Sequence, residues 1–200
     1  MKSAAARGLW TAMTLSAIAI AGYALMLVFV PAMRGDFVEA LFADKALRAL
    51  GHLATGGTAL AVGGFQFNSR LRKNRPATHR LLGKIYVVAV LIGGVAGLLL
   101  APSSDGGIAG HLGFGMLAVL WLTTTIMAYW HARAANFANH QNWMIRSYAL
   151  CWGAVTLRIY LGIAAAAGYS FEDVYPAIAW IAWVPNLIVA EWFFVRAVKA

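Results

Sequence analysis

Residues 81–101 read LLGKIYVVAVLIGGVAGLLLA, 21 positions in which Lys84 is the only charge. As a helix this run rises about 31 Å, close to the ~30 Å of hydrocarbon in a bilayer. It is apolar on every face, so its solvent is lipid rather than water. Working outward, five further runs of similar character are Leu9 to Val30, Ala49 to Phe67, Ile108 to Trp130, Trp143 to Ala167 and Ala177 to Val195. Polar or Gly/Pro-rich breaks separate them. The chain is 62% hydrophobic and 12% charged, which no soluble domain of 200 residues would tolerate. The expected fold class is all-α: a six-transmembrane-helix bundle with helices 2–5 as a four-helix core, residues 1–200 forming a single integral membrane domain. The first run follows Lys2 and Arg7 as a secretory leader would, but it is 22 residues long and ends without a small-residue cleavage site, so it reads as a retained helix.

Charge sets the orientation, because basic residues stay on the cytoplasmic side. One side collects Lys2, Arg7, Arg70, Arg72, Lys73, Arg75, Arg80, Lys84, Arg133, Arg196 and Lys199, 11 of the 16 basic residues. The other holds Asp36, Glu39, Asp44, Asp105, Glu172 and Asp173, with Arg34, Lys45 and Arg48. Both termini are therefore expected in the cytoplasm of a multi-pass protein of the bacterial cytoplasmic (inner) membrane. The net charge of +9 is spread over short loops between spans, so nucleic acid is not an expected partner. Residues 36–48 place Val38, Leu41, Phe42 and Leu47 at helical spacing among charges, an amphipathic segment for the outer interface. Pro185 predicts a kink in the sixth helix.

Five histidines remain: His52, His79, His111, His131 and His140. An imidazole in a membrane needs a polar partner, and haem iron or another metal is a recurrent one. His52 and His111 each enter a span three residues from its outer end, about 4.5 Å deep, on helices two and four. His79 and His140 precede helices three and five by two and three residues, at the opposite face. The fourteen residues from His52 to Gln66 separate the two levels by roughly 21 Å. This layout suits two redox centres, each gripped by one imidazole from either side. His131, beside Tyr129 and Trp130, reads as a neighbour of the interfacial aromatic belt. Cys151 is the only cysteine, so covalent haem attachment is excluded and any haem is a non-covalent haem b.

The helices around the histidines carry small residues: Thr55, Gly56, Ala59 and Gly63 on the second, Gly83, Gly93, Gly94 and Gly97 on the third, Gly110, Gly113 and Gly115 on the fourth. Such stripes leave room for a flat macrocycle or for close helix contact, and the sequence leaves both open. Arg158 reads as a propionate partner for the outer centre or as an arginine snorkelling to the interface. Arg146 and Glu191 fall near the cytoplasmic ends of helices five and six and are expected to form a structural ion pair, a propionate contact for Arg146 being the alternative.

The stretch from His140 through Gln141, Asn142, Trp143, Met144, Ile145, Arg146, Ser147, Tyr148, Ala149 and Leu150 resembles a bacterial family of predicted multi-helix membrane proteins with no assigned reaction. Gly64 to Phe67, His79-Arg80, Thr156-Leu157-Arg158, and Trp183 to Leu187 with Glu191 extend the resemblance from the second helix to the end of the chain. It implies that His52, His79, Arg80, His140, Arg146, Arg158 and Glu191 occupy family positions. In layout alone the chain is similar to the two-haem, six-helix transmembrane cytochromes b, whose axial histidines pair helix two with four and three with five. Their substrate motifs are not found here.

The leading expectation is a transmembrane electron-transfer protein binding up to two b haems through His52 with His111 and His79 with His140. A quinone or a redox protein would be its partner. The alternatives are a non-redox transporter or accessory protein with an inner polar site of His79, Arg80, His140, Arg146 and Glu191, and a metal site on the same inner histidines. No hydrolase triad, His-Glu-x-x-His motif or phosphate-binding loop occurs.

Overall fold

The structure is a computed structural model that describes residues 4–195. Lys2, Arg196 and Lys199, which entered the orientation argument, lie outside the described residues. Among those described there is no strand. Nine α-helices follow in order: α1 (Ala4–Phe29), α2 (Asp36–Gln66), α3 (Ser69–Asn74), α4 (Pro76–Leu100), α5 (Gly107–Arg133), α6 (Phe137–Cys151), α7 (Gly153–Ala166), α8 (Phe171–Ile181) and α9 (Val184–Phe193). Short 3₁₀ turns occupy Pro31–Met33 and Ala101–Ser103.

Five segments are long and apolar enough to cross a bilayer: Ala4–Phe29, Pro76–Ser103, Gly107–Arg133, Phe137–Ala166 and Phe171–Phe193. The chain is an all-helical, multi-pass membrane protein. Six spans were expected, and α2 is the one that falls short. It is 31 residues long, but His52, Thr55, Thr58 and Gln66 and a series of glycines dilute its apolar character. The expected outer segment, 36–48, is not a separate helix. It is the first part of α2, set off by a kink at Lys45 (φ −136°, ψ 42°).

The residues divide into two compact units at Gly93/Gly94. In the first, α1 packs against α2. The Trp10 indole N–H donates to the Gly64 carbonyl at 2.9 Å. Farther along, a Cβ at Gly57 would meet the Ala21 carbonyl oxygen at 3.3 Å, so the glycine permits the approach. The end of α1 is closed by Arg34, whose guanidinium donates to the carbonyls of Leu27 (2.7 Å) and Val28 (3.1 Å). These are last-turn carbonyls that no helical N–H reaches. The same side chain pairs with Glu39 at 3.2 Å and lies 3.7 Å from the Phe42 ring centre. Arg34 thus fastens the start of α2 to the end of α1.

In the second unit α5 packs on α6 and α8, α7 on α8, and α6 on α9. Gly113 lies so near α8 that a Cβ there would stand 2.8 Å from the Ala179 carbonyl oxygen. The Trp180 indole N–H reaches the Ala109 carbonyl at 3.0 Å. Deep between α5 and α6, the hydroxyls of Thr125 and Ser147, both fully buried, bond at 2.6 Å. The sixth predicted helix is broken as the proline requires, although the break falls at Ala182–Trp183 and Pro185 opens α9 in its first turn. There Thr156 donates to the Ala182 carbonyl, and the Asn186 amide donates to Thr156 Oγ1 (3.1 Å) and to the same carbonyl (3.1 Å). Side chains thus replace the backbone donors that the break removes.

Candidate functional site

Two histidines lie in the first unit, His52 on α2 and His79 on α4. Three lie in the second, His111 and His131 on α5 and His140 on α6. His79 and His140 do not precede their helices: each is the fourth residue of one. The helices start earlier than hydrophobicity suggests because Pro76 suits a first-turn position and the Asn136 side chain caps α6 by accepting from the Asn139 N–H. His111 is the fifth residue of α5, and His131 lies in its last turn.

The rings of His52 and His140 are half-buried and held in the same way. Nδ1 of His52 lies 2.9 Å from the carbonyl oxygen of Gly93, and Nδ1 of His140 lies 2.8 Å from that of Ala128. A carbonyl only accepts, so Nδ1 must carry the hydrogen. In the neutral ring the lone pair then sits on Nε2. A backbone carbonyl on Nδ1–H is the usual device by which a metal-binding histidine has its tautomer and plane fixed. The sequence signals the two residues but not this arrangement, since Gly93 and Ala128 are apolar positions 41 and 12 residues away.

The glycine stripes resolve into two kinds. Gly93 serves close helix contact: a Cβ there would stand 2.7 Å from Thr55 Oγ1 and 3.2 Å from the Gly56 backbone nitrogen. Gly94, against Leu122, and Gly113, against Ala179, do the same, and Gly110 is crowded by the carbonyl of Asp105. Other glycines lie one helical turn beyond a histidine. Gly56, four residues after His52, has nothing within 4 Å of its Cβ position, and Gly115, four after His111, has only the Ala101 Cβ at 3.8 Å. Gly83, four after His79, is covered by Gln66, whose Oε1 lies 3.4 Å away. Gln66 is itself buried, and its amide nitrogen has no hydrogen-bond partner.

Arg146 and Glu191 come together. Nε donates to Oε1 at 2.5 Å and a terminal nitrogen to Oε2 at 3.0 Å, the two-pronged geometry that suits a guanidinium and a carboxylate. The guanidinium also lies 4.6 Å from the Trp143 ring centre. Arg158, half-buried on α7, is within electrostatic reach of the Tyr175 hydroxyl, as is Asp105. Tyr175 is packed between Phe114 (5.3 Å between ring centres) and Phe171 (4.3 Å). Among the described residues no group of three or more His, Cys, Asp or Glu side chains is gathered as a three-ligand metal centre requires. A bis-imidazole haem asks only two ligands of the protein.

These helices and polar fastenings define a multi-helix integral membrane protein. The chain belongs to the family described as Predicted membrane protein (DUF2306), which matches residues 49–194 and so begins within α2 and ends with α9. No curated protein and no solved structure shows significant similarity to it.

Proposed function

We propose that the protein is a transmembrane electron-transfer protein of the bacterial cytoplasmic membrane that holds up to two non-covalent b-type haems. His52 and His111 are the ligands of an outer centre, and His79 and His140 of an inner one. The observation that carries the reading is the shared setting of His52 and His140, whose Nδ1–H groups on backbone carbonyls leave Nε2 as the coordinating nitrogen. Gly56, one turn beyond His52, has nothing within 4 Å of its Cβ position, which leaves that face of α2 open for a macrocycle. Haem held by two imidazoles supplies a one-electron couple whose potential follows from its ligands and burial.

The remaining groups have supporting roles. Arg158 is assigned to a propionate of the outer centre, and the Arg146–Glu191 pair neutralises two charges that would otherwise raise the cost of placing α6 and α9 in lipid. The long second half of α2, whose polar groups dilute its apolar character, is assigned as a sixth crossing, with both termini in the cytoplasm. The electron partner is a quinone or a redox protein.

Reduced-minus-oxidised absorption spectra of the purified protein and haem counted as its pyridine complex test the reading. Wild type should carry up to two low-spin haems per chain. His79→Ala and His140→Ala should remove the same one, and His52→Ala and His111→Ala the other, while His131→Ala keeps both. A folded wild-type protein that takes up no haem when haem supply is ample would overturn the proposal and favour the transporter or metal-site alternatives.

A further inference from the structure

Along the seam of α2 and α4 in the first unit runs an open groove of about 360 Å³, lined by Thr55 and Thr58 of α2 and by Lys84, Ile85, Val88, Ala89 and Ile92 of α4. Its lining is apolar except at one end. Thr55 and Thr58 donate their hydroxyls to the carbonyls of Gly51 and Ala54 in their own helix, so their hydrogen-bonding capacity is turned inward. The exception is Lys84, which is exposed.

Position along α4 says what fits. The last exposed charge before the apolar run is Arg80, which puts the hydrocarbon boundary near Leu81. Lys84 then lies about 4.5 Å inside, within reach of the headgroups by snorkelling, and Ile92 lies about 16 Å inside, near the middle of a ~30 Å core. The groove is therefore as deep as one leaflet and carries its cation at the headgroup end. The same end carries exposed Arg70, Arg72, Lys73, Arg75 and Arg80 on and around α3, with no acidic residue between Gln66 and Lys84.

We propose that this groove is a binding site for an anionic phospholipid of the leaflet on the α3 side, one acyl chain lying along Ile85, Val88 and Ile92 and the phosphate on Lys84. A concave apolar wall gives a chain more van der Waals contacts than the convex surface of a helix, and the basic cluster makes the headgroup preference electrostatic. The site is independent of any haem.

Native mass spectrometry of the full chain, released from detergent with added phosphatidylglycerol or phosphatidylcholine, tests it. Wild type should retain one phosphatidylglycerol at least several-fold more than phosphatidylcholine. Lys84→Gln should remove most of that preference while some chain binding persists, and Val88→Trp, which fills the groove, should reduce retention of both lipids. Circular dichroism establishes that the variants are folded. Equal retention of the two lipids by wild type, a preference that Lys84→Gln leaves unchanged, or retention that Val88→Trp leaves unchanged would each overturn the proposal. A dimer that Val88→Trp dissociates would assign the groove to a second copy of the chain and overturn it too.

Discussion

Separating Arg146 from Glu191 tests whether the second unit depends on a charge pair held in lipid. Both groups are partly enclosed, with 22% and 39% of the side chain exposed, and Glu191 lies only two residues from the end of α9. A lone charge at the centre of a span costs about 2.5 to 3.5 kcal/mol, and position near a helix end brings this toward about 2. Glu191→Gln leaves a guanidinium that still has the Trp143 ring at 4.6 Å, a contact that contributes about 0.5 to 1 kcal/mol. Arg146→Met leaves a carboxylate with no such neighbour among the described residues, so it should be the costlier change by about that amount. The double variant buries no charge, so it should cost less than either single and far less than the ~4 to 5 kcal/mol of the summed singles. Equilibrium unfolding in mixed micelles, followed by helical circular dichroism, measures all four species. Losses that add to within about 0.5 kcal/mol would refute the pairing as an energetic unit.

Gly93→Val should destabilise by about 2 to 3 kcal/mol and disturb the His52 contact, because its Cβ would meet Thr55 and the Gly56 backbone, whereas Gly22→Val, with nothing within 4 Å, should cost under about 1 in the same assay. Thr125→Val or Ser147→Ala alone removes the bond between the two hydroxyls and should cost about 1 kcal/mol, with the double variant cheaper than the sum; strictly additive losses would argue against the 2.6 Å bond as a unit. For topology, Cys151 is buried and can first be replaced by Ala. In that background Leu47→Cys should react with an impermeant thiol reagent added to intact cells and Arg75→Cys should not; the opposite pattern would invert the orientation.

Spans were legible because apolar length is a one-dimensional property, and Leu81 to Ala101 falls almost wholly inside α4. Helix starts were less so. Phe137 to Asn142 is too polar to register as span, yet Asn136 caps a helix there, which puts His140 inside the first turn of α6. Lys45 shows the converse: one residue with φ −136° separates the charged start of α2 from its more apolar remainder within a single element, and nothing in its side chain announces that. Pro185 announced a break but not its place, because the disruption from a missing N–H falls on the preceding turn, at Ala182–Trp183.

Chemistry was legible to the extent that a side chain discloses its need. Arg146 and Glu191 are charges that lipid forces together, so their pairing could be expected from depth alone. The carbonyl that receives an imidazole Nδ1–H belongs to the backbone, which every residue carries, so neither Gly93 nor Ala128 could have been singled out. The same holds for Ala182, whose carbonyl takes two side-chain donors only because the helix breaks there. The stretches resembling the family, from His140 to Leu150 and from Trp183 to Leu187, place Ser147 on Thr125, Asn186 on Thr156 and Arg146 on Glu191. Much of what such a motif spells is thus the fastening of helices to one another. His140 belongs to one of these stretches and is fastened as well, through Nδ1 to Ala128. What distinguishes it from Ser147 or Asn186 is that its fastening uses one nitrogen and defines the chemistry of the other, which is why the haem proposal rests on the histidines and not on the motif.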